Sequence, residues 1–171
     1  EISLGLVGSE MCIRDRLALR PGEIRLDFIP LDWPLTPLGA RKDPYITGWQ
    51  NKPFSLREIE EEILSNDCKA VGVMGGPAYN NPYGLVWVDI DGPTVYKLVK
   101  ELADETDFDK ALPPTLTICS GKLGRERKLY KLPREKHKYF VRNKYTWHAE
   151  GSKEKLEILW SRHQGVLMGL H

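Results

Sequence analysis

Leu85-Val86-Trp87-Val88-Asp89-Ile90-Asp91-Gly92 decides how this chain folds. β-Branched and aromatic residues crowd the stretch, and glycine followed by Pro93 stops it, so it reads as a buried strand. Its end carries Asp89 and Asp91, spaced i, i+2. On a strand that spacing puts both carboxylates on one face, about 7 Å apart at the backbone. Two acids ending an apolar strand need compensation. A divalent cation, which takes one or two carboxylates together with substrate phosphates, is one answer. A solvated Asp-x-Asp-Gly turn is the plain alternative.

The flanks of this strand follow from it. Gly92-Pro93-Thr94 starts a helix whose buried face is Val95, Leu98, Val99 and Leu102. Its N-terminus comes directly after Asp91, where the helix dipole favours anions. Upstream, residues 70–74 (Ala-Val-Gly-Val-Met) form a short strand, and the turn-rich residues 79–83 join it to the central strand as a long-looped hairpin. Gly75 and Gly76 between them suit a ligand's close approach or a plain turn. They are no G-x-G-x-x-G fingerprint, so a dinucleotide site is excluded.

Further upstream, Phe54-Ser55-Leu56-Arg57-Glu58 is a helix start. Ser55 is the N-cap, Glu58 completes a capping box, and Phe54 with Ile59 forms a hydrophobic staple. Leu56, Ile59, Ile63 and Leu64 make the apolar stripe. Residues 23–31 read as a first strand. Residues 33–49, rich in Pro, Gly and aromatics, read as a loop. Arg41 and Lys42 in that loop are candidates for phosphate contact. Downstream, residues 115–119, 128–131, 138–142 and 156–160 read as strands, with 166–170 paired back on 156–160. Strands in hairpins with two main helices argue an α+β fold on a mixed or antiparallel sheet.

Composition narrows the classes. The 171 residues suit one domain, 41% apolar and 29% charged with net charge +1. No run is long enough to span a membrane. Cys12, Cys68 and Cys119 show neither zinc nor disulfide spacing, so a reducing, cytoplasmic location is expected. Residues 1–16 resemble a translated sequencing-adapter artefact. That leaves a domain over 17–171, whose last residues stop in an apolar run that reads as a cut C-terminal end.

Three groups of residues carry candidate chemistry. Glu157 alternates with Leu156, Ile158 and Trp160, so it faces away from them. If that face meets Asp89 and Asp91, three carboxylates gather, enough for a two-metal clamp on phosphoryl transfer. Ser120, Arg127 and Lys128, at a strand–loop–strand junction, are candidates for holding a triphosphate. Between Lys122 and Lys144, ten Lys and Arg stand against Glu126 and Glu135, a local basic stripe able to serve a polyanion. Tyr145-Thr146-Trp147 beside it is the one place for base stacking. His148-Ala149-Glu150 lacks the Pro-Cys-x-x-Cys partner of zinc deaminases. Ser120 lacks the Gly-x-Ser-x-Gly context of serine hydrolases.

In order along the chain, these motifs resemble the bifunctional primase-polymerase domain of the archaeal-eukaryotic primase superfamily. Lys42, Pro44 and Trp49 match its Lys-x-Pro…Trp element. Val71 to Gly76 match its Gly-containing strand, and Asp89 and Asp91 its Asp-x-Asp metal motif. Ser120-Gly121 and Leu129-Tyr130 match its second motif, and Glu157 supplies the later acid. One departure stands out: Lys128 occupies the position before Leu129-Tyr130 where the family has histidine.

The resemblance implies an RRM-like core and template-directed nucleotidyl transfer. Asp89, Asp91 and Glu157 would be catalytic and hold Mg²⁺ or Mn²⁺. Lys42, Ser120, Gly121, Arg127 and Lys128 would bind nucleoside triphosphate. Lys131, Arg134, Lys136, Lys138, Arg142 and Lys144 would track a single-stranded or primed DNA template. It further implies a replication protein, with a fused or associated helicase module. Two alternatives remain: a non-catalytic primase-like module binding nucleic acid or nucleotide, favoured by Lys128, and a metal-dependent transferase acting on sugar nucleotides.

Overall fold

The computed structural model describes residues 23–77, 82–119 and 122–169. The expectations for residues 1–16, for residues 79–81 of the connector, for Ser120 and Gly121, and for the final two residues lie outside these. The central strand is β4, Tyr83–Asp91. It pairs along its whole length with β6 (Arg125–Pro133), and from Trp87 to Ile90 with β8 (Lys155–Leu159). β5 (Leu116–Cys119) flanks β6, and β7 (Lys144–His148) flanks β8, in the order β5-β6-β4-β8-β7.

β4 alternates between two cores because its pleat does. Leu85 and Trp87 point into one apolar cluster, and Val86, Val88 and Ile90 into another. The second cluster is closed by the helices α2 (Val95–Ala103) and α3 (Phe108–Ala111), through Val95, Val99 and Phe108. The first is closed by a second sheet and by α1, Leu56–Leu64. That sheet comprises β1 (Leu35–Leu38), β2 (Ala70–Met74) and β9 (Gln164–Gly169), in the order β1-β2-β9. Every pairing among the described strands is antiparallel, so the fold is α+β.

Trp87 fastens the two sheets. Its indole is fully buried, and Nε1–H donates to the Val73 carbonyl of β2 at 2.9 Å. Gly165 of β9 leaves the room, since a Cβ there would lie 2.4 Å from the indole. Burying such a side chain contributes on the order of 2–3 kcal/mol.

The α1 start holds as read: the Ser55 hydroxyl accepts from the Glu58 amide, and the Ser55 amide donates to the Glu58 carboxylate. Leu64, by contrast, is exposed, as Leu102 of α2 also is.

Several expectations are corrected. Residues 23–31 form turns around Asp27 and Pro30, with the Ile29 amide donating to the Leu26 carbonyl. The loop at 33–49 contains β1 despite Pro34 and Pro37. Proline, lacking an N–H, is tolerated here because β1 edges its sheet. Ala70–Met74 does not pair with the central strand; of this upstream segment only the short β3, Gly76–Pro77, does. Likewise β9 leaves β8 for β2. Both crossings lie side by side, the Gly75 amide donating to the His163 carbonyl. Gly75 therefore serves a sheet crossing, where a Cβ would lie 2.5 Å from the Trp160 carbonyl oxygen. Residues 138–142 are not a strand: Arg134–Tyr139 is a 3-10 helix, started by Pro133 and followed by Phe140, which packs on Trp160 and Tyr145.

Candidate active site

The two-residue period that buries Trp87 brings Asp89 and Asp91 out on the same face, beyond the cover of the second sheet. Directly opposite Asp89 stand Arg127 on β6 and Glu157 on β8. Ile118 stands opposite Arg127, and Thr146 opposite Glu157. One row therefore crosses the whole sheet: Ile118, Arg127, Asp89, Glu157, Thr146. Directly opposed side chains have Cβ atoms about 4.5–5.5 Å apart. In the next row, Asp91 faces Arg125. A cleft of about 250 Å³ opens over these rows, lined by Lys42, Asp89, Asp91, Arg125, Arg127, Ile118 and Val166 among others.

Each acid is held by a base. Arg127 Nη2 donates to Asp89 Oδ2 at 2.5 Å, and Arg125 Nε lies 3.1 Å from Asp91 Oδ1. Lys144 and Lys155 both reach Glu157 Oε1, at 2.6 and 2.9 Å. Glu157 is buried. Burial raises its carboxyl, but the hydrogen bonds and charges of Lys144 and Lys155 more than reverse this and hold it below the ordinary value. Lys155 is raised in return, chiefly by its bond to Glu157, then against burial by the Glu157 charge and those of Asp91 and Asp89. Burial, then the Lys144 charge, lower His163. The cleft itself is lined by three bases, Lys42, Arg125 and Arg127, and three acids, Asp89, Asp91 and Glu126.

The N-terminus of α2 is already occupied. Glu154, just before β8, accepts from the Thr94 amide at 2.8 Å and from the Thr94 hydroxyl at 2.6 Å. Those two bonds hold its carboxyl below the ordinary range. Gly92 makes this possible, because a Cβ there would lie 2.1 Å from the Glu154 carboxyl carbon. The anion expected at this helix end is thus a side chain of the protein. It ties the end of β4, next to Asp91, to the start of β8.

The described candidates divide. Asp89, Asp91, Glu157, Arg127 and Lys42 come together around the cleft or its row. Lys128 does not. It alternates with Arg127, sits opposite Val88 on the far face, and is buried over the Phe108 ring beside Glu126 and Thr117. The basic run is not one stripe. Arg134, Lys136 and Lys138 belong to the 3-10 helix, and Arg142 follows it in an exposed turn. Lys131 lies over the Tyr83 ring, and Lys144 is paired with Glu157. The Tyr145 and Trp147 rings lie against one another, with centroids 6.0 Å apart. Sequence reading missed Arg125, Lys155 and Glu154 as parts of the site. The alternation of Arg125 with Arg127 was the available signal for the first.

Among the described residues, no three His, Cys, Asp or Glu side chains are grouped as a metal cluster. Asp89, Asp91 and Glu157 each have a carboxylate oxygen on a base. The donor set nevertheless fits a hard divalent ion, being carboxylate oxygens on one strand face. Asp89 and Asp91 open into the cleft, and Glu157 stands opposite Asp89. No helix among the described residues is long and apolar enough to cross a membrane.

Residues 25–169 match the family model of the bifunctional DNA primase/polymerase N-terminal domain, Prim-Pol. None of the curated proteins or solved structures compared with the chain matches it. With most of its length matched, the chain belongs to the Prim-Pol family, whose activity is nucleotidyl transfer of the DNA primase/polymerase type.

Proposed function

We propose that this Prim-Pol domain performs template-directed nucleotidyl transfer, adding nucleotides from nucleoside triphosphates to a primer or to a first nucleotide, as one module of a replication protein. The observation that carries the reading is the row itself: Asp89 opposite Glu157, with Asp91, Arg127 and Lys42 facing one cleft. Asp89, Asp91 and Glu157 would hold Mg²⁺ or Mn²⁺. When bound, such an ion supplies positive charge to the reacting phosphate and favours a deprotonated hydroxyl. Lys42 and Arg127 bind triphosphate oxygens, and a guanidinium suits them through paired donors. Ser120 and Gly121 join them in this reading. Arg134, Lys136, Lys138 and Arg142, with Lys131, contact the template backbone, giving salt-sensitive and sequence-tolerant binding.

A second reading is a non-catalytic module that binds nucleic acid or nucleotide. It draws on the acids being already neutralised by Arg125, Arg127, Lys144 and Lys155. Primer extension with deoxynucleoside triphosphates and Mn²⁺ separates the two, run on the wild type and on Asp89→Ala/Asp91→Ala. Extension by the wild type and none by the variant is expected. Extension that survives the variant rejects the acid assignment. No extension by either, with DNA binding intact, favours the binding module.

A further inference from the structure

We propose that Arg125 and Arg127 are resident counter-ions which a metal-bound triphosphate exchanges, so that metal and triphosphate bind this cleft cooperatively and each binds poorly alone. This rests on the reading of Asp89 and Asp91 as metal ligands.

The geometry is a matched ladder. Asp89 and Asp91 are two apart on β4, Arg127 and Arg125 two apart on β6, and the register sets each acid opposite its own arginine. Both ion pairs line the same cleft. Neither pair is sealed: the side chains of Arg127 and Asp89 are 27% and 24% exposed, those of Arg125 and Asp91 46% and 33%. The guanidiniums can therefore turn from the acids to a ligand without unpacking the core. Arg125 thereby becomes a triphosphate contact in its own right.

Charge pairing supplies the coupling. A divalent ion arriving alone must displace two guanidiniums into a cleft that already holds Lys42. A triphosphate arriving alone must draw them off and leave two carboxylates facing its own negative charge. When both arrive, the ion takes the acids and the phosphates take the arginines, so every charge keeps a partner. Coupling between two ligands is reciprocal and commonly amounts to 5- to 150-fold.

The inference makes a prediction of opposite sign for two ligands, which damage to the fold cannot imitate. In Arg125→Gln/Arg127→Gln, Mn²⁺ alone, followed by electron paramagnetic resonance of the free ion, should bind about tenfold more tightly than in the wild type. A non-hydrolysable α,β-imido deoxynucleoside triphosphate, titrated calorimetrically in EDTA, should bind about tenfold more weakly. The single Arg127→Gln should shift both in the same directions by about threefold, and serves if the double variant does not fold. Mn²⁺ affinity that is unchanged or weakened overturns the exchange, as does an unchanged triphosphate affinity. Adding Asp89→Asn/Asp91→Asn separates the two levels. Loss of Mn²⁺ binding there, without tightening in the arginine variants, overturns the exchange alone. Mn²⁺ binding that persists there overturns the metal-site reading as well.

Discussion

Removing both lysines that hold Glu157 should cost more than the two single losses together. Lys144 and Lys155 reach the same oxygen, at 2.6 and 2.9 Å, and their side chains are 39% and 36% exposed against 10% for Glu157. After Lys144→Ala or Lys155→Ala the other ammonium remains. Each single loss is then that of a half-exposed ion pair, roughly 0.5–1 kcal/mol. The double variant leaves a buried carboxylate opposite Asp89, with only the Thr146 hydroxyl donating to it at 3.4 Å. Stripping the partners from a buried charge costs roughly 3–5 kcal/mol, and the retained hydroxyl points to the low end, about 3 kcal/mol. The excess over the singles is therefore about 1–2 kcal/mol. At this chain length the double loss lowers Tm by about 6–12 °C.

The pH dependence has a definite sign. In the wild type the folded carboxyl lies below 4.5, so its stabilisation is present above that value and is lost as pH falls through the lowered folded one. In the double variant the two lowering lysines are gone and burial, which raises the carboxyl, is left, so the folded state binds the proton more tightly than the unfolded one. The variant then gains stability as pH falls from neutrality towards 4.5, and its deficit narrows. Urea denaturation of the four proteins at about pH 7 and about pH 5 measures both effects. An additive double loss, or a deficit that stays constant or widens on acidification, refutes the reasoning.

Gly165→Ala should destabilise the protein by roughly 1–3 kcal/mol, because the new methyl enters the Trp87 ring. Since Trp87 is two residues from Asp89 on the same face, Mn²⁺ affinity should fall as well, and thermal melts with a metal titration check the pair. Lys128→Met should leave triphosphate affinity within about twofold of the wild type, because this side chain packs over Phe108 on the face away from the cleft. A calorimetric titration that shows a tenfold loss would instead place Lys128 in the site.

The acids were legible because a strand has a period of two. That period put Asp89 and Asp91 on one face and set Glu157 against Leu156, Ile158 and Trp160. The same rule, applied to Arg127 and Lys128, would have kept only one of them, since adjacent strand residues cannot face one site. Taking them together as an anion cradle ignored the pleat. Partnership between strands was less legible. Ala70–Met74 and Gln164–Gly169 are short apolar runs that satisfy either sheet, and what assigns them is the packing of Trp87 against Val73 and Gly165, a contact between distant segments. β1 was hidden by Pro34 and Pro37, whose turn chemistry is real but compatible with an edge strand. The α1 boundary was legible because its capping box is local.

The site lies where it does because one face of β4 outruns its cover. Leu85 and Trp87 are roofed by β2 and β9, and the next two positions on that face are Asp89 and Asp91. A strand cannot change face at that point, so the line that is core at Trp87 becomes cleft two residues later. Side chains so placed inherit the rigidity of the ladder on either side, β6 through Arg127 and β8 through Glu157. The end of the strand is fastened independently, by Glu154 on the first turn of α2. The side chains left with room to turn are the two partly exposed arginines of β6, Arg125 and Arg127. With the acids fixed on the ladder, the proposed exchange of these two counter-ions for a metal and a triphosphate needs no rearrangement of the backbone.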